Sequence, residues 1–362
     1  MEPTPYSKER LIAELAVQRV SVLAKRIMRE MLAAHDGNGA ITKSDSTPVT
    51  VADFAGQALM IAALHHAFPT DRFIGEEGAE GLRNDSHLRA RVWELVSSAR
   101  LDDPESDALL ASPKSEEEML ELIDRGLDPG GKDRRIWIMD PIDGTATFLK
   151  GQQYAVSLAL VVDGREEIGV LGCPNLRGDT LVVRETVVDD TGFGVMVSAV
   201  RGQGALLRLV GTGGLDALPR VLPKFHTNAP SRTSPHFVDS HLSTSCRLDL
   251  AARLAGKLGS KYPDTDVWSS HIKYMALILG GGDVMVQIPR KGEPPDDHIW
   301  DHAGAQLIFS ELGGEITDLD GKEIDLGAGR RLASNWGLLA AKPGVGSKVL
   351  ELIRDLKAVE DF

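Results

Sequence analysis

The sequence predicts an α/β protein with an α+β N-terminal lobe over residues 1–221 and an α/β C-terminal lobe over residues 222–362. Two observations support this prediction. The chain of 362 residues exceeds the roughly 250–300 residues at which a single hydrophobic core stops growing, so two lobes are expected. The pattern also changes along the chain, because helices and hairpin-forming strands precede residue 222 whereas short strands and helices alternate after it.

The elements of the N-terminal lobe follow from periodicity and turn residues. Apolar residues that recur at every third or fourth position predict helices, and apolar runs bounded by glycine, proline or aspartate predict strands. Asp163-Gly164 predicts a hairpin turn, and the Asp-, Pro- and Ser-rich stretch 101–113 predicts an exposed insertion. The predicted helices span residues 8–34, 51–67 and 88–99, and the predicted strands lie at residues 72–75, 136–139, 154–162, 167–173, 180–184 and 195–200.

The C-terminal lobe has shorter elements, and they alternate between strand and helix as in an α/β arrangement. Gly313-Gly314 marks the end of one of its helices. The predicted strands span residues 237–239, 266–268, 283–288 and 338–341, and the predicted helices span residues 248–258, 272–279 and 301–312, with a last helix from residue 347.

Composition narrows the class of function. Hydrophobic residues at 42% and charged residues at 26% are typical of a soluble globular protein. The net charge of −13 disfavours nucleic-acid polymers and anionic membranes as partners, and an anionic small substrate would need local cations. Cys173 and Cys246 alone provide neither a disulfide framework nor a zinc cluster. The start Met1–Pro5 lacks a signal-peptide pattern, so a cytoplasmic protein is expected.

The strand at residues 136–139 runs into the string Asp140-Pro141-Ile142-Asp143-Gly144-Thr145. Pro141 ends the strand ladder and directs the Asp140 carboxylate, the Ile142 carbonyl and the Asp143 carboxylate to one point. Two anionic donors this close repel each other unless a cation neutralises them. The following Gly-Thr pair offers N–H groups and a hydroxyl suited to holding a phosphate. A plain Asp-rich turn is the alternative interpretation.

Four further acidic residues, at three sites along the chain, have both an ordinary and a functional interpretation. Asp53 follows Thr50 at the spacing of a capping box, and Asp301 opens a predicted helix, so each is a candidate helix cap. The adjacent Glu76 and Glu77 follow a predicted strand and would suit a solvated loop. Alternatively, these carboxylates hold metal ions or orient a water molecule, since adjacent negative charges need a positive neighbour.

The order of these four motifs resembles the lithium-sensitive, magnesium-dependent phosphatase superfamily of inositol monophosphatase and fructose-1,6-bisphosphatase. Among its branches, the chain is most similar to the 3′(2′),5′-bisphosphate nucleotidases, which convert 3′-phosphoadenosine 5′-phosphate to AMP and phosphate. The segments Ile41–Asp53, Phe148–Gly151 and Gly172–Asn175 add to the resemblance. The resemblance implies a layered α-β-α-β-α sandwich, a role in sulfur metabolism and inhibition by lithium.

The resemblance also implies a ligand set and a mechanism. It assigns two or three Mg²⁺ ions to the centre, an ion that suits all-oxygen donors. Asp53 is expected to accept the proton of the attacking water through Thr145. Most metal ligands fall in the N-terminal lobe, and the C-terminal lobe supplies Asp301. The implied metal ligands are Glu76, Asp140, the Ile142 carbonyl, Asp143 and Asp301.

The implied substrate is a small phosphorylated molecule, most simply 3′-phosphoadenosine 5′-phosphate and also 3′-phosphoadenosine 5′-phosphosulfate, bound by a monomer or weak homodimer. Locally, His241, Ser270 and Lys273 would otherwise be interpreted as surface or helix-face residues. The implied substrate contacts are Thr145, His241, Ser270, Lys273, Gln287 and Asp301.

Two departures from the branch pattern concern positive charge. Gln287 replaces an arginine that is common in the branch, although Arg290 lies close by, and Ala146-Thr147 replaces a Lys-Gly pair. These departures concern the nucleotide and leave the hydrolytic centre intact, so a phosphatase of the same chemistry that acts on inositol (poly)phosphates or on a pathway-specific metabolite is the alternative. A non-catalytic protein that binds nucleotides or metals is a third hypothesis, and it is disfavoured because all six acidic and hydroxyl positions are present.

Overall fold

The computed structural model describes residues 4–36, 47–132, 134–179, 182–226, 234–290 and 297–359. A seven-stranded sheet with its strands in sequence order lies at its centre. The first two strands are parallel, and every later neighbour in this sheet is antiparallel. Its strands are β1 Arg72–Gly75, β2 Arg135–Asp143, β3 Ala155–Val162, β4 Arg165–Cys173, β5 Val195–Val200, β6 Ala205–Leu209 and β7 Arg220–Val221.

Two smaller sheets follow along the chain. In the three-stranded sheet, one strand lies between two antiparallel neighbours, and the other sheet is a short parallel pair. Their strands are β8 Val238–Asp239, β9 Thr265–Asp266, β10 Val284–Gln287, β11 Glu315–Thr317 and β12 Leu338–Ala341, with β8 paired to β9 and β12 between β10 and β11.

The helices flank and separate these sheets. A 3-10 turn, Ile299–Asp301, precedes the tenth helix. The helices are α1 Ser7–Asp36, α2 Thr47–Ala67, α3 Glu80–Asn84, α4 Ser86–Ser98, α5 Pro104–Ala108, α6 Glu116–Arg125, α7 Thr145–Phe148, α8 Leu248–Lys257, α9 Ser270–Leu279, α10 Ala305–Glu311 and α11 Gly346–Val359.

The side chains of β2 point alternately to the two faces of the large sheet, and this alternation shows how the layers stack. Trp137 and Met139 are buried in a core shared with α1 and α2, whereas Ile136 and Ile138 are buried in a second core shared with α9 and α10. Because successive strand residues point to opposite faces, both faces of the large sheet are covered by helices.

The side chains of the three-stranded sheet also alternate between its two faces, which adds the last two layers. Met285 and Ala340, which pair across β10 and β12, join the core of α9 and α10. The next pair, Val284 and Ala341, joins a third core with α8 and α11. The order of layers is therefore α-β-α-β-α, as the resemblance implies. Within the described ranges, no helix combines the length and apolar content that crossing a bilayer would require.

Several local predictions were wrong. The predicted helix at residues 301–312 is divided, because Gly304 has a φ of 87° between the 3-10 turn and α10. Residues 182–184 form no strand, and Thr180 and Leu181 lie outside the described residues. The stretch 101–113 is not simply exposed, since Leu101 and Leu110 are buried in the first core.

The predicted capping role of Asp53 at the start of a helix was also wrong. α2 begins at Thr47, so Asp53 lies within the helix, and no acidic residue occupies the first turn. The side chain of Thr50 lies outside the described residues, as do residues 1–3 and the Ile41–Ser46 part of the resemblance.

Candidate metal centre

Strand pairing places Glu76 next to Asp140. In the parallel pair β1–β2, Gly75 lies opposite Met139, so the following residue of each strand carries a carboxylate at the same end of the sheet. Gln57, on α2, fixes the chain beyond β1, since its Oε1 accepts from Glu77 N at 3.0 Å and its Nε2 donates to Glu77 O at 2.7 Å. The close approach of α2 to this edge is therefore specified by hydrogen bonds.

A β-bulge brings Asp140 and Asp143 to the same side of β2. Two residues three apart in a regular strand point to opposite faces. Here Asp140 pairs with Ser157 and Asp143 with Ala155, so β2 contains one residue more than β3 across this interval. The extra residue reverses the alternation, and both carboxylates can face one point.

Asp301 completes a group of three carboxylates. Oxygen atoms of Asp140, Asp143 and Asp301 all lie within 4.8 Å of one another. Asp301 is the last residue of the 3-10 turn, and its N–H donates to His298 O at 3.2 Å. Carboxylate oxygens converging at this spacing are suited to a hard divalent cation such as Mg²⁺.

The electrostatics also fit a cation. Burial raises the pKa of Asp140 well above its usual value, and the charges of Glu76, Asp143 and Asp301 raise it further. The pKa of Asp301 is raised well above its usual value by burial and then by Asp143 and Glu76. The pKa of Glu76 is raised by burial and Asp143, although Arg330 opposes this shift. A bound divalent ion would neutralise these mutually repelling groups.

Asp53 and Glu77 extend the same negative field. The pKa of Asp53 is raised well above its usual value by burial and then by Glu77 and Glu76, and that of Glu77 is raised to about 7 by burial and Glu76. The Oδ1 atom of Asp53 is buried and, among the described residues, has no hydrogen-bond partner. An unpaired buried oxygen beside an acidic cluster could accept a hydrogen bond from a water molecule or hydroxyl group.

Asp143 also holds the start of α9. Its Oδ2 accepts from His271 N at 2.7 Å and from the Ser269 hydroxyl, and its Oδ1 accepts from Ser270 N at 3.4 Å. The helix dipole favours a negative charge at this end. No local sequence pattern indicates this role, because Asp143 and α9 are far apart along the chain.

The turn after Asp143 presents Thr145. Gly144 has a φ of 97°, and a Cβ there would lie 2.9 Å from both Ser269 Cβ and Thr147 Oγ1, so glycine is required. Thr145 is exposed as the first residue of α7. Thr147 is buried, and its hydroxyl is within hydrogen-bond distance of Gly144 O at 2.8 Å and Gln153 O at 2.7 Å. Thr147 therefore stabilises the turn.

A cleft of about 410 Å³ lies beside this turn. Ala146 and Lys150 line one side, and His241, Asp266 and Trp268 line the other. His241 is exposed, and its Nδ1 is within hydrogen-bond distance of the Asp266 carboxylate. One of the predicted substrate contacts therefore lies in the cleft, together with the turn that carries Thr145.

Lys273 and Gln287 are buried rather than free at the surface. Lys273 Nζ donates to Asp239 Oδ1 at 2.8 Å. Burial lowers the pKa of Lys273, but Asp239, Cys246 and Asp143 together raise it above its usual value. Tyr262 donates its hydroxyl to Asp239 as well. Gln287 is in β10, and its Oε1 is buried without a hydrogen-bond partner among the described residues.

Two residues of this region had no signal in the sequence. Glu185 accepts from Trp268 N at 2.7 Å and from Gln153 N at 3.0 Å, and so connects two walls of the cleft. Arg330 lies near Glu76, in the segment between β11 and β12. Neither belongs to a periodic element or a motif.

The five-layer fold is that of solved inositol monophosphatases. The structure of SuhB from Mycobacterium tuberculosis matches with a TM-score of 0.57 and 17% identity, covering 99% of this chain and 100% of that one. Inositol monophosphatase II from Staphylococcus aureus MSSA476 matches with a TM-score of 0.56 and 15% identity, covering 97% and 98%.

The chain belongs to the inositol monophosphatase family, whose family model matches residues 8–353. The 3′(2′),5′-bisphosphate nucleotidase of Emericella nidulans is 38% identical over 356 residues, which are 96% of this chain and 98% of that protein. The enzyme of the same name from Schizosaccharomyces pombe is 35% identical over 346 residues, 96% and 95% of the two chains. These findings confirm the resemblance, and they identify the chain as an enzyme, a phosphoric monoester hydrolase.

Proposed function

We propose that this enzyme is a Mg²⁺-dependent 3′(2′),5′-bisphosphate nucleotidase that converts 3′-phosphoadenosine 5′-phosphate to AMP and phosphate, and that it also accepts 3′-phosphoadenosine 5′-phosphosulfate. The convergence of Asp140, Asp143 and Asp301 within 4.8 Å carries the proposal, since it is the arrangement that divalent-ion phosphatase chemistry requires. The names and near-complete coverage of the relatives support the substrate.

The ligand set we propose is larger than the three convergent aspartates. We include Glu76 because its charge raises the pKa of Asp140 and of Asp301. We include the Ile142 carbonyl because Ile142 lies within the β-bulge between Asp140 and Asp143. These groups would hold two or three Mg²⁺ ions. When bound, Mg²⁺ would neutralise phosphate charge, acidify a coordinated water and stabilise the leaving oxygen.

The chain's own groups would orient and deprotonate the attacking water. Asp53 is buried with a raised pKa, and its Oδ1 has no hydrogen-bond partner among the described residues, so it is equipped to accept a proton. We assign the relay of that proton to the hydroxyl of Thr145, exposed at the start of α7. The Gly144-Thr145 turn and Asp301 would contact the phosphate that is removed.

The rest of the substrate would lie in the cleft of about 410 Å³, within the usual size range of small-molecule sites. His241 lines this cleft, and Trp268 offers a ring for contact with a base. Ser270, Lys273 and Gln287 do not line this cleft, and we propose them as further contacts on the family resemblance alone. Because Lys273 is already paired with Asp239, it would contribute a positioned donor rather than an uncompensated charge.

The alternative substrate is an inositol phosphate or another phosphorylated metabolite. Gln287 and Ala146 favour it, because they supply no positive charge where the bisphosphate nucleotidase pattern has it. Purified enzyme should be assayed for phosphate release from 3′-phosphoadenosine 5′-phosphate and from inositol phosphates, each with Mg²⁺. Higher kcat/KM for inositol phosphates would refute the nucleotide assignment, and tight ligand binding without turnover of any phosphate ester would indicate a non-catalytic protein.

We further propose that the enzyme works in the cytoplasm as a monomer or weak homodimer. Its acidic composition and its two free cysteines support this setting. Lithium is expected to inhibit it, as the family relationship implies.

A further inference from the structure

We propose that Arg330 is a positioning residue that holds the chain segments carrying Glu76 and Asp301 at the spacing the metal centre needs. This inference rests on the metal centre proposed above. Glu76 follows β1 and Asp301 ends the 3-10 turn, so the two residues are far apart along the chain. A centre that draws ligands from both segments needs a structural connection between them.

The guanidinium of Arg330 contacts the segment that carries Glu76. Its Nη2 donates to Gly75 O at 2.6 Å, and Gly75 is the residue immediately before Glu76. Its Nη1 donates to Gly126 O at 2.9 Å, and Gly126 O also accepts from Gly75 N at 2.9 Å. One side chain therefore ties the end of β1 to the loop beside it.

The same residue is fixed to the segment that carries Asp301. The guanidinium carbon lies 4.7 Å from the ring centre of Trp300, the residue immediately before Asp301. On the main chain, Arg330 O accepts from Ile299 N at 3.2 Å, which anchors the first residue of the 3-10 turn. Arg330 is thus bonded to one ligand-bearing segment by its side chain and to the other by its backbone and by cation–π stacking.

Arginine is specifically suited to this arrangement. A planar guanidinium can donate to two carbonyls while its face stacks on an aromatic ring, whereas a lysine ammonium cannot do both. Arg330 is half-buried, and burial lowers its pKa, so it occupies this place against a desolvation cost. The neutral carbonyls of Gly75 and Gly126 accept its hydrogen bonds, which is consistent with a positioning role.

If Arg330 acted only through its charge, its replacement by an uncharged residue would change the Mg²⁺ affinity in the direction opposite to that expected for a positioning residue. Arg330 is a positive charge beside a candidate cation site, so its removal would by charge alone strengthen Mg²⁺ binding. By the same reasoning Arg330→Lys, which keeps the charge, would leave Mg²⁺ binding unchanged. The positioning role predicts that both changes weaken binding, because both lose the planar hydrogen bonds and the stacking.

The test is Mg²⁺ titration by calorimetry on metal-free wild type, Arg330→Lys and Arg330→Met, without substrate. We expect the Lys variant to bind Mg²⁺ about tenfold more weakly, the lower end of the effect of residues that orient metal ligands. The Met variant should also bind more weakly than the wild type. An affinity of the Lys variant equal to the wild type's, or tighter binding by the Met variant, would overturn the inference.

Arg72→Lys is the matched control. Arg72 lies on β1 and donates to the Asp128 carboxylate at 2.6 Å, in the loop that Arg330 also approaches, but no contact joins it to Gly75 O or Trp300 among the described residues. Its Mg²⁺ affinity should equal the wild type's. Thermal unfolding with and without Mg²⁺ gives a second readout independent of turnover.

The outcomes separate the inference from the proposed function. If the wild type itself binds no Mg²⁺, the metal centre is refuted. If the wild type binds Mg²⁺ and the Arg330 variants bind equally well, only the positioning role is refuted. If neither Arg330 variant folds without metal, Arg330 serves the fold as a whole, and the specific role in the metal centre is overturned.

Discussion

Asp143→Asn is the substitution that best separates metal binding from folding. Asp143 has two roles, because its carboxylate belongs to the acidic group and also accepts hydrogen bonds at the start of α9. Asparagine has nearly the same shape, and its amide oxygen can still accept from His271 N. We expect turnover to be abolished and the protein to remain folded.

The magnitude follows from the contacts of Asp143. Its hydrogen bonds from His271 N and the Ser269 hydroxyl would change from charge-assisted to neutral, a loss of about 1 kcal/mol each. Against this loss, the substitution removes a negative charge that raises the pKa of Asp140 and of Asp301. We therefore expect the free energy of unfolding without metal to change by no more than about 2 kcal/mol.

Mg²⁺ should distinguish the two proteins. At about 100 times its Kd, Mg²⁺ should stabilise the wild type by about 2.7 kcal/mol, because it binds the folded state alone. The Asn variant should gain much less. The assay is urea unfolding with and without Mg²⁺, beside phosphate release, with Ser269→Ala as a control that alters a hydrogen bond to Asp143 but no carboxylate. Normal turnover by Asp143→Asn, or equal stabilisation by Mg²⁺, would refute the metal role.

Three other predictions concern the substrate, pH and packing. Gln287→Arg should lower the KM for 3′-phosphoadenosine 5′-phosphate by supplying a positive charge, and an unchanged KM in steady-state assays would favour another substrate. Burial raises the pKa of Glu166 from 4.5 to about 7, so the protonated carboxyl group is favoured in the folded protein. The contribution of Glu166 to the free energy of unfolding is therefore fully present below pH 4.5 and is lost as the pH rises through about 7. Glu166→Gln should therefore remove roughly 3 kcal/mol of that pH dependence in urea unfolding from pH 4 to 8, and an unaltered profile would contradict the assignment. Gly56→Ala should destabilise the fold by about 1–3 kcal/mol and weaken Mg²⁺ binding in calorimetry, because a Cβ there would lie 2.9 Å from Pro141 Cβ. Wild-type affinity would show that the β-bulge at Pro141 tolerates the displacement.

The parts of the fold and site that sequence could predict depend on local pattern. The strand before Asp140 was evident from its apolar residues, and the carboxylate string that follows lies within a few positions. In a regular strand, where side chains alternate between faces, Asp140 and Asp143 would lie on opposite faces of the sheet. The β-bulge that brings them together depends on pairing with β3, which the sequence of β2 does not specify.

Other features depended on contacts between distant segments. The Asp- and Pro-rich composition of residues 101–113 indicated exposure, yet Leu101 and Leu110 pack into the first core. Arg330 contacts Gly75, which is 255 positions earlier in the chain, so no local pattern could identify it. Asp53 was placed at a helix start because Thr50 resembled a cap, whereas α2 already begins at Thr47.

A crystal structure of the enzyme grown with Mn²⁺ in place of Mg²⁺, with anomalous scattering to locate the metal, tests the central claim most directly. We expect anomalous peaks in contact with carboxylate oxygens of Asp140, Asp143 and Asp301, and at least one in contact with Glu76. Fully occupied Mn²⁺ elsewhere on the protein, with these carboxylates free of metal, would contradict the account.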